Sequence, residues 1–371
     1  MLYVDVPTLP ELKALISTRA DACVSIYVST THQTQHVSAS RIAFGNMAKS
    51  ASEQLTKAGF DKRRRALLEA ELTALGEDED FWRLQAHSLA VLATPDSVRT
   101  FRLATALTDT VQVSDRFYLK PLLRAIAFPQ TALVLALSEN AVRLIEIFPE
   151  LPPSHVRVQD LPKSAADAVG RASVNNLTQN TRIANAEGQT VLLRQYARKV
   201  DAALRGVLAG RDTPLILAAT EPLGPIFRNL SSYPALLSRG ISESPDRATD
   251  TELASAARPI LDEYYKAQIN EANALYDARS GVRRATTDIG EAARAATNGA
   301  IEFLMVDIDH TVQGSISDVD GTVTFANDAS TYDVVDEIAG RAILTGARFL
   351  GVRREDIPGK APLAATLRYP I

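Results

Sequence analysis

The residues of this chain best suited to chemistry stand close together: Glu187-Gly188-Gln189, then Arg194 and Arg198, and further on Arg205. Glycine admits backbone angles closed to other residues, so a Gly-Gln tip on a loop can present a backbone N–H and a side-chain amide to an incoming ester and a water. Downstream, the spacing of Arg194, Arg198 and Arg205 puts them in one angular sector of a helix, a stripe able to lie along a sugar-phosphate backbone. Asp201 falls in the same sector, four residues before Arg205, the separation of an intrahelical ion pair. On spacing alone, a polar loop leading into an ordinary surface helix accounts for the same residues, because Gly-Gln pairs are common.

Other candidates carry less. Asp307 and Asp309 alternate at a strand end and could face one cation, but no further ligand follows by spacing, so a polar turn is expected there. Asp318-Val-Asp320-Gly321 lacks the third acidic position and the distal glutamate of a calcium loop and reads as a turn. Cys23, within a β-rich run, is expected to be a small buried residue rather than a nucleophile. Lys62-Arg-Arg-Arg65 adjoins Glu69 and Glu71 and reads as a solvated helix face. The sequence contains no G-x-S-x-G elbow, no G-x-x-x-x-G-K-[ST] loop, no dinucleotide glycine fingerprint and no HExxH, and its five histidines are scattered. These absences count against serine hydrolases, nucleotide-loop enzymes and zinc proteases, and neither a cofactor nor a metal is expected.

Composition narrows the class further. At 371 residues the chain is long enough for two or three cored domains, and 46% hydrophobic with 23% charged residues is the balance of a globular protein. Forty Lys and Arg against 44 Asp and Glu give a net charge of -4, so any nucleic-acid contact must come from a local patch. A single cysteine excludes a disulfide framework and a cysteine-built zinc site, and points to a reducing compartment. The opening Met1-Leu-Tyr-Val-Asp-Val-Pro lacks the pattern of a secretory signal, and the apolar runs are too short to span a bilayer. A cytoplasmic protein without a membrane partner is expected.

The elements that would position these residues fall into three segments, together giving an α/β chain. Residues 1–125 read as a mixed α/β domain: a helix at 9–17, a half-buried strand at 23–29, two helices over 41–75 interrupted at Gly59, and a strand meander from Ser88 to Val113. Residues 126–278 open with a hairpin through Ser138-Glu139-Asn140. After strand residues near His155, periodicity fades over 161–189, a length at which an irregular loop is usually functional or disordered. A strong amphipathic helix over 190–208 follows, with Leu193, Tyr196, Val200 and Leu204 on its apolar face, then a buried strand over 214–219 and a helix capped near Thr249. Residues 279–371 alternate helices and strands as a small α/β/α unit, with a helix at 286–297, strands at 301–306 and 348–352, a helix at 333–345 and a closing strand over 366–369.

The order of these features resembles a known family, the class-1 peptide-chain release factors of archaea and eukaryotes and especially their bacterial relatives. The run Glu187-Gly-Gln-Thr-Val-Leu-Leu-Arg-Gln-Tyr-Ala-Arg-Lys-Val200 is similar to that family's Gly-Gly-Gln loop and the long helix after it, and Pro214-Leu-Ile-Leu-Ala-Ala219 to the next strand. Residues 293–307, 333–346 and 364–369 resemble the third domain, and Phe81-Trp82, 88–92 and 117–123 the first domain of the bacterial relatives. The resemblance implies a ribonuclease-H-like middle domain and a C-terminal domain related to kink-turn-binding ribosomal proteins. It implies action at the ribosome and hydrolysis of the peptidyl-tRNA ester in ribosome rescue. In that reading Gln189 positions the attacking water, Gly188 supplies the backbone shape, and Arg194, Arg198 and Arg205 contact RNA. Two departures stand out: Glu187 occupies the place of the first glycine, and no segment resembles the codon-reading motif. A non-catalytic ribosome- or RNA-binding adaptor, or an unrelated small-molecule enzyme, are the alternatives.

Overall fold

The computed structural model describes residues 4–31, 37–127, 131–148, 152–168, 182–209, 211, 213–307, 309–326 and 331–370. Two compact units result: Met1–Pro129 with Ala267–Ile371, and Gln130–Lys266.

In the first unit, α1 (Leu9–Ser17) starts at a capping box in which Thr8 and Glu11 satisfy each other's backbone donors. Strand β1 (Cys23–Ser29) precedes the antiparallel helix pair α2 (Val37–Lys57) and α3 (Lys62–Glu77), short α4 (Glu79–Arg83), the strands β2 (Ser88–Thr94), β3 (Ser97–Leu103) and β4 (Thr110–Ser114), and α5 (Lys120–Ala127). The strands form an antiparallel sheet in the order β3-β2-β1-β4. Sequence alternation predicts one solvated face for β1, but six of its seven residues are buried. Val24, Ile26 and Val28 point into a core with Phe44, Leu55, Leu68, Leu72 and Trp82, while Cys23 and Tyr27 point into a core built largely by the C-terminal segment.

That C-terminal segment contributes β9 (Ala285–Thr286), α10 (Ile289–Thr297), β10 (Ile301–Asp307), β11 (Gln313–Ile316), β12 (Val323–Phe325), β13 (Tyr332–Asp333), α11 (Val334–Leu344), β14 (Arg348–Val352) and β15 (Leu363–Leu367). Its main sheet has the order β14-β10-β15-β9, with β10 and β14 parallel. Leu304 and Val306 of β10 join Ala292, Ala296, Ile338 and Ala342 of α10 and α11, and Phe303 and Met305 face Ala272 on the opposite side. The closing strand begins three residues earlier than expected: Leu363-Ala-Ala is neutral in propensity and becomes strand by pairing with β10 and β9.

The second unit holds β5 (Ala132–Leu137), β6 (Val142–Ile147), β7 (Ser154–Val156), α6 (Ala165–Ala168), α7 (Arg182–Leu208), β8 (Leu215–Ala218), α8 (Leu223–Leu230) and the first part of α9 (Asp250–Ser280), whose remainder belongs to the first unit. Its sheet runs β7-β6-β5-β8, with the first three strands antiparallel and β8 parallel to β5. Leu133, Leu135 and Leu137 of β5 pack against Leu193, Tyr196, Val200 and Leu204 of α7 and Phe227 of α8. α9 is tied to β6 by Arg143 to Asp250 at 3.0 Å.

The helix α7 begins eight residues earlier than the sequence reading places it. Of the stretch read as irregular, residues 169–181 lie outside the described residues, and 182–189 are helical. Arg-Ile-Ala-Asn-Ala-Glu is a run of mostly good helix formers, and one glycine, which costs about 1 kcal/mol in a helix interior, does not outweigh it.

Candidate functional site

Parallel strands β5 and β8 end on the same edge of the second sheet, where open α/β sheets place their ligands. The turn after β5, Ser138-Glu139-Asn140, organises that edge. Ser138 Oγ accepts from the backbone N–H groups of Ala141 at 3.0 Å and Asn140 at 3.2 Å and donates to Asp246, while Asn140 Nδ2 donates to the other Asp246 oxygen at 2.9 Å. Tyr196 Oη donates to the Ser138 carbonyl at 3.0 Å, and Ala165 N–H to the Glu139 carbonyl at 2.9 Å. One three-residue turn thus fixes the body of α7, the start of α6 and the approach to α9. Burial, reinforced by the nearby Asp246 carboxylate, pushes the Tyr196 phenol well above its ordinary value, so it acts here as a fixed donor.

Gln189 reaches the same turn. Its Nε2 donates to Glu139 Oε1 at 3.4 Å, from a half-buried position one residue after exposed Gly188. Gly188 stands on the outer side of the helix, where an added Cβ would meet nothing within 4 Å. The expected loop tip is therefore corrected: Gly188 and Gln189 are consecutive helical residues, and the pair presents its amide to a carboxylate. The side chain of Glu187 lies outside the described residues.

The arginine stripe divides. Arg194 and Arg198 are exposed on α7. Arg205 is bound to buried Asp201 at 2.9 Å, and Asp201 also accepts from the backbone N–H of Ser232 at 3.1 Å, which fastens α7 to the end of α8. That geometry makes Arg205 part of a local ion pair, with Arg194 and Arg198 the more open cations. Among the described residues no imidazole bonds to the Ser138–Asp246 pair, and Ser138 accepts from backbone donors, so the edge as described is not arranged as an activated serine nucleophile. Sequence reasoning treated Ser138, Glu139 and Asn140 as a hairpin turn and missed Asp246; the only signal was their place at the end of a buried strand.

The remaining candidates resolve as structure. Asp307 is buried and accepts from the N–H of Asp309 at 3.0 Å, and Asp309 pairs with Arg124 at 3.0 Å. Asp318 pairs with Arg341, and Gly321 takes the positive φ of +72° that its turn requires. Asp320 is held down to about 2 by hydrogen bonds from Ser317 and Thr322. Cys23 is fully buried, and burial pushes its thiol up to about 11, far from a reactive thiolate. Arg65 pairs with Glu69 and Arg64 with Asp21. Among the described residues no group of three or more His, Cys, Asp or Glu could hold a metal ion, and no helix is long and apolar enough to cross a membrane.

Both the strand pair and the helix carrying Gly188 and Gln189 lie within one segment that matches a known family. Residues 129–267 match bacterial archaeo-eukaryotic release factor family 11. The likeness of this chain to the bacterial relatives of archaeal and eukaryotic release factors is thereby shown, and the release-factor segment coincides closely with the second compact unit. No curated protein matches the chain. Among solved structures, it is similar at 12% identity to the archaeal translation termination factor aRF1, with 98% of this chain and 99% of that chain covered and a TM-score of 0.24. It is also similar to S. cerevisiae Dom34, a translation termination-like factor, at 10% identity over 76% and 80% of the two chains with a TM-score of 0.41. A third, archaeal Pelota in a ribosome-bound assembly with ABCE1, is 11% identical over 99% and 96%, with a TM-score of 0.41. TM-scores of that size carry no argument, so the likeness rests on the match over 129–267, which spans less than half of the chain.

Proposed function

We propose that this chain acts at the ribosome as a release-factor-like protein and hydrolyses the peptidyl-tRNA ester in ribosome rescue. The observation that carries this reading is the family match over 129–267, the segment in which Gly188 and Gln189 lie about two turns into the helix that bears Arg194 and Arg198. In it, Gln189 orients the attacking water and its backbone N–H stabilises the developing oxyanion, while Gly188 lets the backbone approach the ester. Arg194 and Arg198 lie along phosphates, with Arg205 at the end of the ridge. The second unit is taken as ribonuclease-H-like, within the three segments 1–125, 126–278 and 279–371; its strand order, three antiparallel strands and a parallel fourth, supports that.

A second reading, a non-catalytic ribosome-binding adaptor, draws on a specific contact. Gln189 donates to Glu139 from within a helix, and Glu187 stands where the family has its first glycine, so hydrolysis requires this helix end to change conformation. The test is cleavage of peptidyl-tRNA on stalled ribosomes by the purified chain, beside Gln189→Ala and a pelleting assay. Cleavage lost in the variant supports the hydrolase. Salt-dependent pelleting without cleavage supports the adaptor, and the absence of both removes the ribosomal reading.

A further inference from the structure

Gln189 and the open arginines point to opposite sides of α7. At about 100° of turn per residue, Arg194 and Arg198 stand roughly 140° and 180° around the helix from Gln189, whereas Leu193, Tyr196 and Val200 stand within about 40° of it. Burial follows that geometry. Leu193, Tyr196 and Val200 are buried against the sheet, Gln189 is half-buried on their side, and Arg194 and Arg198 are exposed. A sugar-phosphate backbone lying along the two arginines would meet the side of α7 from which Gln189 is turned away.

What Gln189 meets instead is Glu139, whose Oε1 accepts from its Nε2 at 3.4 Å. Glu139 stands on a turn with little freedom. Ser138 Oγ accepts from the N–H groups of Asn140 and Ala141, the Ser138 carbonyl accepts from Tyr196 Oη at 3.0 Å, and the Glu139 carbonyl accepts from Ala165 N–H at 2.9 Å. None of these bonds uses the Glu139 side chain, so its carboxylate is free of structural duty in the turn and is aimed at α7 by it. Asp246 beside it is held by the neutral groups of Ser138 and Asn140, so this edge carries negative charge of its own and repels phosphate. Gly188, next to Gln189, is a poor helix former with no neighbour within 4 Å of an added Cβ, which makes the helix easy to open at this point.

We propose that Glu139 is a latch for Gln189, a positioning residue that keeps the amide on the sheet side of α7 and away from the arginine face until the first turns of the helix unwind. The latch is a property of the free chain; its consequence for catalysis rests on the hydrolase reading proposed above.

The test compares the full wild-type chain with Glu139→Ala and Glu139→Gln, first in the absence of RNA. Glu139→Ala keeps every backbone contact of the turn and removes the acceptor, so amide hydrogen exchange over 186–190 should quicken roughly three- to tenfold with the unfolding temperature unchanged. Glu139→Gln offers an amide oxygen to the same donor and should restore slow exchange. Gln189→Ala added to Glu139→Ala should bring no further increase, since both remove one contact. On stalled ribosomes, Glu139→Ala should raise single-turnover cleavage of peptidyl-tRNA several-fold while pelleting stays as in the wild type. Unchanged exchange in Glu139→Ala, or additive effects of the two alanine variants, overturns the latch. Faster exchange with reduced cleavage also overturns it, by making Glu139 a contributor to the reaction. Faster exchange that glutamine reverses, in a chain that cleaves in no variant, supports the latch and removes the hydrolase reading.

Discussion

Two polar clusters in this chain are built on opposite terms. In the first unit, Lys120 and Asp333 form a buried pair at 3.0 Å, Lys120 also donates to the His310 carbonyl, and Arg116 pairs with Glu337 at 2.9 Å. These groups join the segment around α5 to α11, and Asp333 in addition caps α11 by accepting from Val335 N–H at 3.0 Å. In the second unit, Ser138, Glu139, Asn140, Asp246 and Gln189 gather at the carboxyl edge of the sheet, with Gln189 only half-buried and its bond to Glu139 long at 3.4 Å. The first cluster closes a core and has little freedom. The second holds one end of a helix by a contact that a competing ligand could replace at small cost.

The sharpest way to break this contrast is to remove one half of the buried pair. Lys120→Ala leaves the Asp333 carboxylate without its cation in a fully buried site, and the expected loss is about 3–5 kcal/mol. The chain's one tryptophan, Trp82, is fully buried in the first unit, so urea unfolding followed by its fluorescence reports that unit. An unchanged midpoint would mean that the pair does not hold the two segments together.

Asp336 sharpens the same contrast with a smaller effect of opposite sign. One of its oxygens accepts from Leu119 N–H at 2.8 Å, and the other has no hydrogen-bond partner among the described residues. Burial, then the neighbouring Asp333 carboxylate, raises its pKa well above 3.8; Lys120 lowers it, Glu337 raises it, and Tyr27 and Tyr118 also face it. The folded state therefore favours the protonated acid. The stability this group contributes is complete below its ordinary value of 3.8 and is lost as pH rises towards its raised folded value. Asp336→Asn keeps the shape and stays neutral, so the variant should exceed the wild type at pH 8 by roughly 1–3 kcal/mol and match it near pH 4. Parallel stability curves for the two proteins across that range would contradict the assignment.

The contrast also accounts for what the sequence could reveal. Strands and helices with clean periodicity, such as β1, β2, α1 and α11, were legible because alternation and caps are local. The burial of both faces of β1 was not, since the core behind its second face is completed by residues of α10 and α11, more than 260 residues away in the chain. Lys120 and Asp333 are separated by 213 residues, and no spacing rule joins them. Gly188 and Gln189 could be singled out as residues, but their conformation was misread: a polar stretch ending in glycine resembles a loop, whereas Arg-Ile-Ala-Asn-Ala-Glu before it extends the helix. Glu139 and Asp246 became visible only once the parallel pairing of β5 with β8 defined a sheet edge.

The smallest effect tests the second cluster most directly. Gly188 is exposed within α7 and an added methyl group meets no neighbour, so Gly188→Ala should stabilise the helix end by about 0.5–1 kcal/mol. Gly340 in α11 shows the opposite case, since its Cβ would stand 2.9 Å from Ile16 Cγ2 in a packed core. Under the hydrolase reading, stabilising this helix end has a functional consequence, because presenting Gln189 to an ester requires the turn to leave the conformation in which it donates to Glu139. Gly188→Ala should then slow amide hydrogen exchange over 186–190 and lower peptidyl-tRNA cleavage together, while ribosome pelleting through Arg194 and Arg198 is retained. Slower exchange with cleavage unchanged would show that the helical form of Gly188 and Gln189 is itself the active one.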